Sequence, residues 1–360
     1  MDKNLTEALE LIKHEDSALP NKVFSSLSDL NRSEMALFQA AWDQWGLARR
    51  QYVMRALYDY AQERVESDYT AIFVWALNDA DPAVRCVAIE GLWEDNNEVL
   101  MNRFAQILRT DPDELVRAAA AQALARFVLL GEYEEISTVT ATSALETLLA
   151  TLALESEAAS VKQQALEAIG FASDKRVRGL IQDAYDDEDE LMQASALRAM
   201  GNSADSYWNP FVRRELESRS SVKRSAAAYA AGELELTTTI PRLLVLLQDP
   251  DVATRRAAVH ALGTIGGSTA RKALQLVISG DDEDLRPFAV EALEMLDFNR
   301  IDLSALDADE SDGNLDDEDE DEDDDFERDF TVDFDGDFEE NLEDEGFDDA
   351  DFDDDGQDGR

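Results

Sequence analysis

One cysteine and two histidines stand in 360 residues, and that scarcity removes whole classes of chemistry. A single thiol, Cys86, excludes an internal disulfide. Set in a stripe of small residues, it reads as a small core hydrophobe, and no histidine lies beside it in the sequence to activate it as a nucleophile. His14 and His260 are too few for a histidine-rich metal centre, and His260, within VHALG, reads as a satisfied or surface-facing helix residue. No glycine-rich phosphate loop is present, because GTIGG from Gly263 ends a helix instead of opening one after a strand. No apolar run approaches the length that spans a bilayer. The opening MDKNLTEALELIKHED lacks the basic and apolar regions of a secretory signal, so a cytoplasmic protein is expected. On these grounds no catalytic residues, metal ligands or cofactor are expected.

Positive charge is the next shortage: 32 Lys and Arg face 81 Asp and Glu, a net charge of −49. Such a chain repels nucleic-acid phosphates and anionic lipid, so neither nucleic acid nor membrane is expected, and basic proteins are the favoured partners. The imbalance is concentrated at the end. Residues 301–360 hold 32 acidic groups against Arg328 and Arg360, a net of −30. Self-repulsion and backbone entropy there exceed what few apolar side chains could return, so this segment is expected to be a disordered acidic tail. Within it Phe326, Phe330, Phe334 and Phe338 recur every fourth residue. Aromatics spaced through acid suit docking on a basic, partly apolar groove; a purely solvating tail is the equal alternative. Asp333, Asp335 and Asp337 mimic part of a calcium loop, but Phe338 occupies the glycine position, which leaves diffuse cation binding as the reading.

What the chain does have is a repeat. Seven segments align without gaps: VRCVAIEGLW from Val84, VRAAAAQALA from Val116, VKQQALEAIG from Val161, MQASALRAMG from Met192, KRSAAAYAAG from Lys223, TRRAAVHALG from Thr254 and LRPFAVEALE from Leu285. Their fifth column is always alanine (Ala88, Ala120, Ala165, Ala196, Ala227, Ala258, Ala289), and the last five copies keep a 31-residue interval. A second small residue follows three positions on, which places a small-residue stripe on one helix face and reads as a buried seam. Gly170, Gly201, Gly232 and Gly263 close four copies where a left-handed helix stop is expected. Turn signals holding Pro82, Pro112 and Pro250 precede three copies, in positions that suit a first helical turn. Before each turn lies another apolar helix, so the unit is helix, acidic turn, helix.

These segments resemble HEAT repeats over residues 68–298. The Asp-Pro turns followed by Val-Arg, and the Ala-Leu-Gly ending, are similar to the HEAT-like repeats of phycobilisome lyases and deoxyhypusine hydroxylases. The resemblance implies an all-α fold, a right-handed α-solenoid of stacked helical hairpins whose second helices line a concave wall. Residues 1–67 are expected to form N-terminal capping helices, with a capping box at Asn31 and Glu34, and residues 68–300 the solenoid, with a longer loop-like insertion near 128–146. The resemblance also implies that Arg85, Arg117, Arg255 and Arg286 pair with turn aspartates Asp81, Asp113, Asp251 and Asp284 as a ladder. The resembling hydroxylase holds iron with several His-Glu dyads; here His14-Glu15 alone has that form, so no such centre can be assembled.

Residues 210–272 reverse the general charge, with ten basic groups against six acidic ones. Within that zone Arg213, Arg214, Arg219, Lys223 and Arg224, with Tyr207 and Trp208 nearby, form the candidate partner-binding surface. The function expected is a non-enzymatic scaffold or adaptor that grips a protein partner along its concave surface, its tail shielding that surface or recruiting basic partners. A bilin-lyase-like or protein-modifying enzyme or chaperone is the alternative that the resemblance leaves open.

Overall fold

A computed structural model describes residues 5–13, 18–64, 66–280 and 282–309, and every regular element among them is helical. Four helices come first: α1 (Leu5–Ile12), α2 (Asn21–Leu27), α3 (Arg32–Trp42) and α4 (Leu47–Glu63). The expected capping box is present, with Asn31 Oδ1 accepting from Glu34 N–H and Glu34 Oε2 accepting from Asn31 N–H at 2.9 Å. Seven helix pairs follow among the described residues: α5 (Thr70–Ala76) with α6 (Pro82–Glu90), α7 (Glu98–Thr110) with α8 (Glu114–Glu132), α9 (Thr138–Leu152) with α10 (Ala159–Ile169), α11 (Val177–Tyr185) with α12 (Glu190–Asn202), α13 (Asn209–Glu215) with α14 (Ser221–Glu233), α15 (Ile240–Leu246) with α16 (Val252–Ile265), and α17 (Gly267–Ser279) with α18 (Arg286–Asp309). The described residues up to Ala305 form one compact unit.

The alanine column is the seam. Ala88, Ala120, Ala165, Ala196, Ala227, Ala258 and Ala289 are all fully buried, whereas Gly91 and Ala123 in the second small column are half-buried. Second helices pack on second helices along their length from α6 to α16, while first helices meet one another far less. A stack whose elements approach more closely on one side curves toward that side, so α6, α8, α10, α12, α14 and α16 form the inner arc.

The repeat glycines act differently from the sequence expectation. Gly170 has right-handed helical torsions, and Gly201, Gly232 and Gly263 lie within their helices. The left-handed residue comes three positions later, at Ala204 (φ 49°), Glu235 (φ 49°) and Gly266 (φ 73°). The glycines are needed for approach: a Cβ on Gly170 would lie 2.9 Å from Ala199 Cα, and one on Gly201 or Gly232 would lie 2.8 Å from the Cα of Ala230 or Ala261.

Two further expectations are corrected. The insertion near 128–146 is mostly helix, because α8 runs to Glu132 and α9 starts at Thr138, with only residues 133–137 between them. Ser137 Oγ caps α9 by accepting from Thr140 N–H, and the buried hydroxyls of Thr147 and Thr151 donate to carbonyls four residues back, so the threonine-rich run satisfies its polar atoms within a helix. Pro82 does stand in a first turn, but Pro112 and Pro250 precede the capping residues Asp113 and Asp251. At the other end α18 runs to Asp309. The expectations for Phe326, Phe330, Phe334, Phe338, the aspartates from 333 and the His14-Glu15 pair fall outside the described residues.

Candidate protein-interaction face

The turn edge carries an arginine ladder, though not with the partners the resemblance implied. Arg85 grips Asp111 of the next turn through two bonds of 2.9 and 2.7 Å, and Arg224 grips Asp249 at 2.7 and 2.9 Å. Arg117 reaches Glu157 at 2.8 Å, Arg255 lies 3.2 Å from Asp282, and Arg50 of α4 lies 3.3 Å from Asp79. Each aspartate of a turn has a separate task. Asp81, Asp113 and Asp251 cap the helix that follows, and the carboxylate two residues earlier receives an arginine from further back, Asp79 from α4 and Asp111 and Asp249 from the preceding pair. Arg286 donates to the carbonyls of Ile278 and Gly280 rather than to Asp284. In the column of ladder arginines the same reach to a carbonyl six residues back recurs at Arg85, Arg117, Gln193, Arg224, Arg255 and Arg286.

This ladder absorbs part of the basic patch. Arg224 is a rung, held by Asp249 and by the carbonyls of Ser218 and Arg219. Lys223 Nζ lies 3.2 Å from Glu215, and Arg214 contacts both Glu215 and the Tyr185 hydroxyl. Trp208 is 1% exposed, so its ring is unavailable to a partner. It packs edge-on against Phe211, 5.5 Å between centroids, because the short turn Ser206–Trp208 that opens α13 aims the indole inward. Tyr207 is 47% exposed beneath the Arg178 guanidinium, and Arg213 and Arg219 are exposed. The seven residues therefore split between a buried ring, a set of structural ion pairs and three surface groups.

Burial pushes Glu215 up, but hydrogen bonds from Tyr185 and Lys223 and the charges of Lys223 and Arg214 hold it below the usual carboxylate range. Tyr185 is pushed up to about 12, first by burial and then by its bond to Glu215. Cys86 is half-buried, and burial together with the charges of Asp113 and Glu90 pushes its thiol up to about 11, leaving it protonated at neutral pH.

The inner arc carries a second set of links. On α10, Glu167 accepts from Ser195 Oγ of α12 at 2.6 Å and lies 3.4 Å from Arg198 Nη1. Asn202 donates back to the Glu167 carbonyl at 2.9 Å and accepts from Tyr229 of α14 at 3.0 Å. The Tyr229 ring stacks on His260 of α16, 5.8 Å between centroids and 8° between planes, and His260 Nε2 lies 3.3 Å from Glu233. Burial raises the Glu167 carboxyl, a shift that Arg198 and Ser195 only partly oppose. These residues form one polar line across four successive second helices, in which Arg198 and His260 keep exposed surface. The sequence held a signal for it: Glu167, Arg198, Tyr229 and His260 share one column of the repeat.

Among the described residues no group of three His, Cys, Asp or Glu side chains is placed to hold a metal ion, and no helix is long and apolar enough to cross a membrane. His260 is the one histidine among the described residues, and it is engaged with Tyr229 and Glu233.

The sequence profile of HEAT repeats matches residues 70–151 and 209–294. No curated protein matches the chain. Solved structures similar to it include human deoxyhypusine hydroxylase in complex with glycerol, 15% identical over 82% of this chain and 96% of that one with a TM-score of 0.34. Another is the complex of CpcE and CpcF of phycocyanin lyase from a Nostoc species, 18% identical over 63% of this chain and 93% of that one with a TM-score of 0.43. A third is Kap95p with RanGDP, 14% identical over 87% of this chain and 48% of that one with a TM-score of 0.42. Likenesses of this size carry no argument about activity. Residues 70–151 and 209–294 thus carry HEAT repeats, and helix pairs of the same kind continue between the two segments.

Proposed function

We propose that the protein is a non-enzymatic scaffold that holds a protein partner along the inner arc of its solenoid. The observation that supports this most is the polar line from Glu167 to His260, which crosses four repeats and presents donors and acceptors at regular intervals. A partner lying along it meets a fixed register of polar and aromatic groups, and rigid presentation lowers the entropic cost of association. The groups around the line are engaged with one another: the Glu167 carboxylate accepts from Ser195, the Tyr229 hydroxyl donates to the Asn202 side-chain oxygen, and the half-buried Cys86 thiol elsewhere in the solenoid is held protonated. The acidic segment 301–360, with a net charge of −30, gives the same scaffold a means of drawing in basic partners by long-range attraction.

Quantitative affinity capture from the native extract tests both parts. Full-length protein is compared with a variant carrying Arg198→Ala, Tyr229→Ala and His260→Ala and with a chain ending at residue 305, each at low and moderate salt. The inner-arc variant should lose the partner while keeping its helical content, and the shortened chain should lose the salt-dependent part of binding. Equal recovery of one partner by all three proteins would refute the reading.

A further inference from the structure

A cleft of about 270 Å³ opens beside the C-terminal ends of α4 and α6, the edge opposite the arginine ladder. Four aromatic rings line it: Tyr58, Tyr69, Phe73 and Trp93. Tyr69 and Phe73 are each 2% exposed and make the floor, which Gly91 keeps flush, since a Cβ there would lie 2.6 Å from the Phe73 ring. Trp93, half-exposed, makes a wall at the repeat position where later copies carry Gly170, Gly201, Gly232 and Gly263. Three carboxylates, Asp68, Glu94 and Asp95, stand at the same cleft, and none of them forms an ion pair among the described residues.

The wall rings already show what they attract. Arg55 sits over Tyr58 at 5.1 Å and Arg126 over Trp93 at 5.6 Å, yet neither arginine lines the cleft, so the rings remain open on the cleft side. A ring face favours a cation, carboxylates favour it further, and the carbonyl ends of two helices add partial negative charge of the same sign. Aromatic walls also accept the aliphatic stem of a long basic side chain. We propose that this cleft binds a lysine or arginine side chain of a protein partner. The site is separate from the inner-arc line between Glu167 and His260, so it stands or falls independently of the scaffold reading.

The test uses full-length protein and three small probes at constant ionic strength: N-acetyl-arginine amide, N-acetyl-lysine amide and the neutral N-acetyl-citrulline amide. The readout is the indole N–H resonance of Trp93, assigned by its loss in Trp93→Phe, with the buried Trp42 indole as a report on folding. Both cationic probes should shift the Trp93 signal saturably, and citrulline should bind at least tenfold more weakly. The double variant Glu94→Gln, Asp95→Asn should weaken the cationic probes severalfold while the Trp42 signal stays in place. No Trp93 shift, an equal shift from citrulline, or unchanged binding in the double variant would each overturn the proposal.

Discussion

Gly201 lies so close to Ala230 that a Cβ on the glycine would sit 2.8 Å from the alanine Cα. Backbone at that distance cannot step aside as the end of a long side chain can. Gly201→Ala is therefore expected to destabilise the solenoid by about 1–3 kcal/mol even though alanine is the better helix former. Gly179 in α11 supplies the control, since nothing stands within 4 Å of its would-be Cβ. Gly179→Ala should gain up to about 1 kcal/mol from helix propensity alone. Urea unfolding of both variants checks the contrast, and two losses of similar size would show that the close approach is not what the glycine serves.

The alanine column located all seven seams, the last five at a 31-residue interval, because alanine at a fixed position is itself a statement about burial. Glycine was less legible: a left-handed stop and a close approach both select it, and only the neighbouring helix tells them apart. Trp208 beside Tyr207 has the composition of a surface patch, and its burial follows from the turn that opens α13, which no local pattern encodes. The ladder was legible on the arginine side alone, because the acceptor comes from the next repeat while the nearer aspartate caps the arginine's own helix. The inner-arc line joins Glu167, Arg198, Tyr229 and His260, four residue types that share a register and no chemistry, and so composition gave no hint of it.

The ladder has a gap, and the gap should be measurable. Lys162 and Gln193 occupy the arginine column of α10 and α12, and Ser218 replaces the aspartate that would receive a rung from α12. Asp187, the acceptor position facing Lys162, is exposed and accepts from Asp189 N–H. Amide hydrogen exchange should be faster in the turn at residues 186–189 than in the turns at 79–81 and 249–251, whose carboxylates are held. Lys162→Arg supplies the missing fork and should slow exchange there, with a gain of no more than about 1 kcal/mol for so open a pair. Unchanged exchange in that turn would show that the rung does not form.

Two carboxylates should give opposite pH dependence. Burial would raise Asp249, but hydrogen bonds from Arg224 and from Asp251 N–H, with the charges of Arg224 and Arg242, hold it below its ordinary range. A depressed carboxyl contributes stability that is complete above its unfolded value, about 4, and is lost as pH falls through the lower folded value. Arg224→Met should remove that contribution, so the variant's deficit shrinks on acidification. Glu167 is raised by burial, so its charged form costs stability at neutral pH, and the cost is relieved as pH falls toward the unfolded value. The stability of Glu167→Gln relative to wild type should therefore decline as pH falls. Thermal unfolding of the three proteins from neutral to acid pH reads both slopes.

Ala204 and Glu235 hold left-handed torsions, φ 49° each, one helical turn beyond Gly201 and Gly232, and the corresponding place one repeat later is filled by Gly266 at φ 73°. A side-chain-bearing residue in that conformation carries strain of about 1–2 kcal/mol, because Cβ crowds the following carbonyl. Glycine removes the crowding and returns part of the gain as extra freedom in the unfolded chain. Ala204→Gly and Glu235→Gly should each stabilise the fold by about 0.5–1 kcal/mol, against the usual penalty for adding glycine. The two positions lie in successive repeats without a shared partner, so the double variant should sum the single effects in urea unfolding. A loss in either single variant would mean that the side chain contributes more through its contacts than its backbone strain costs.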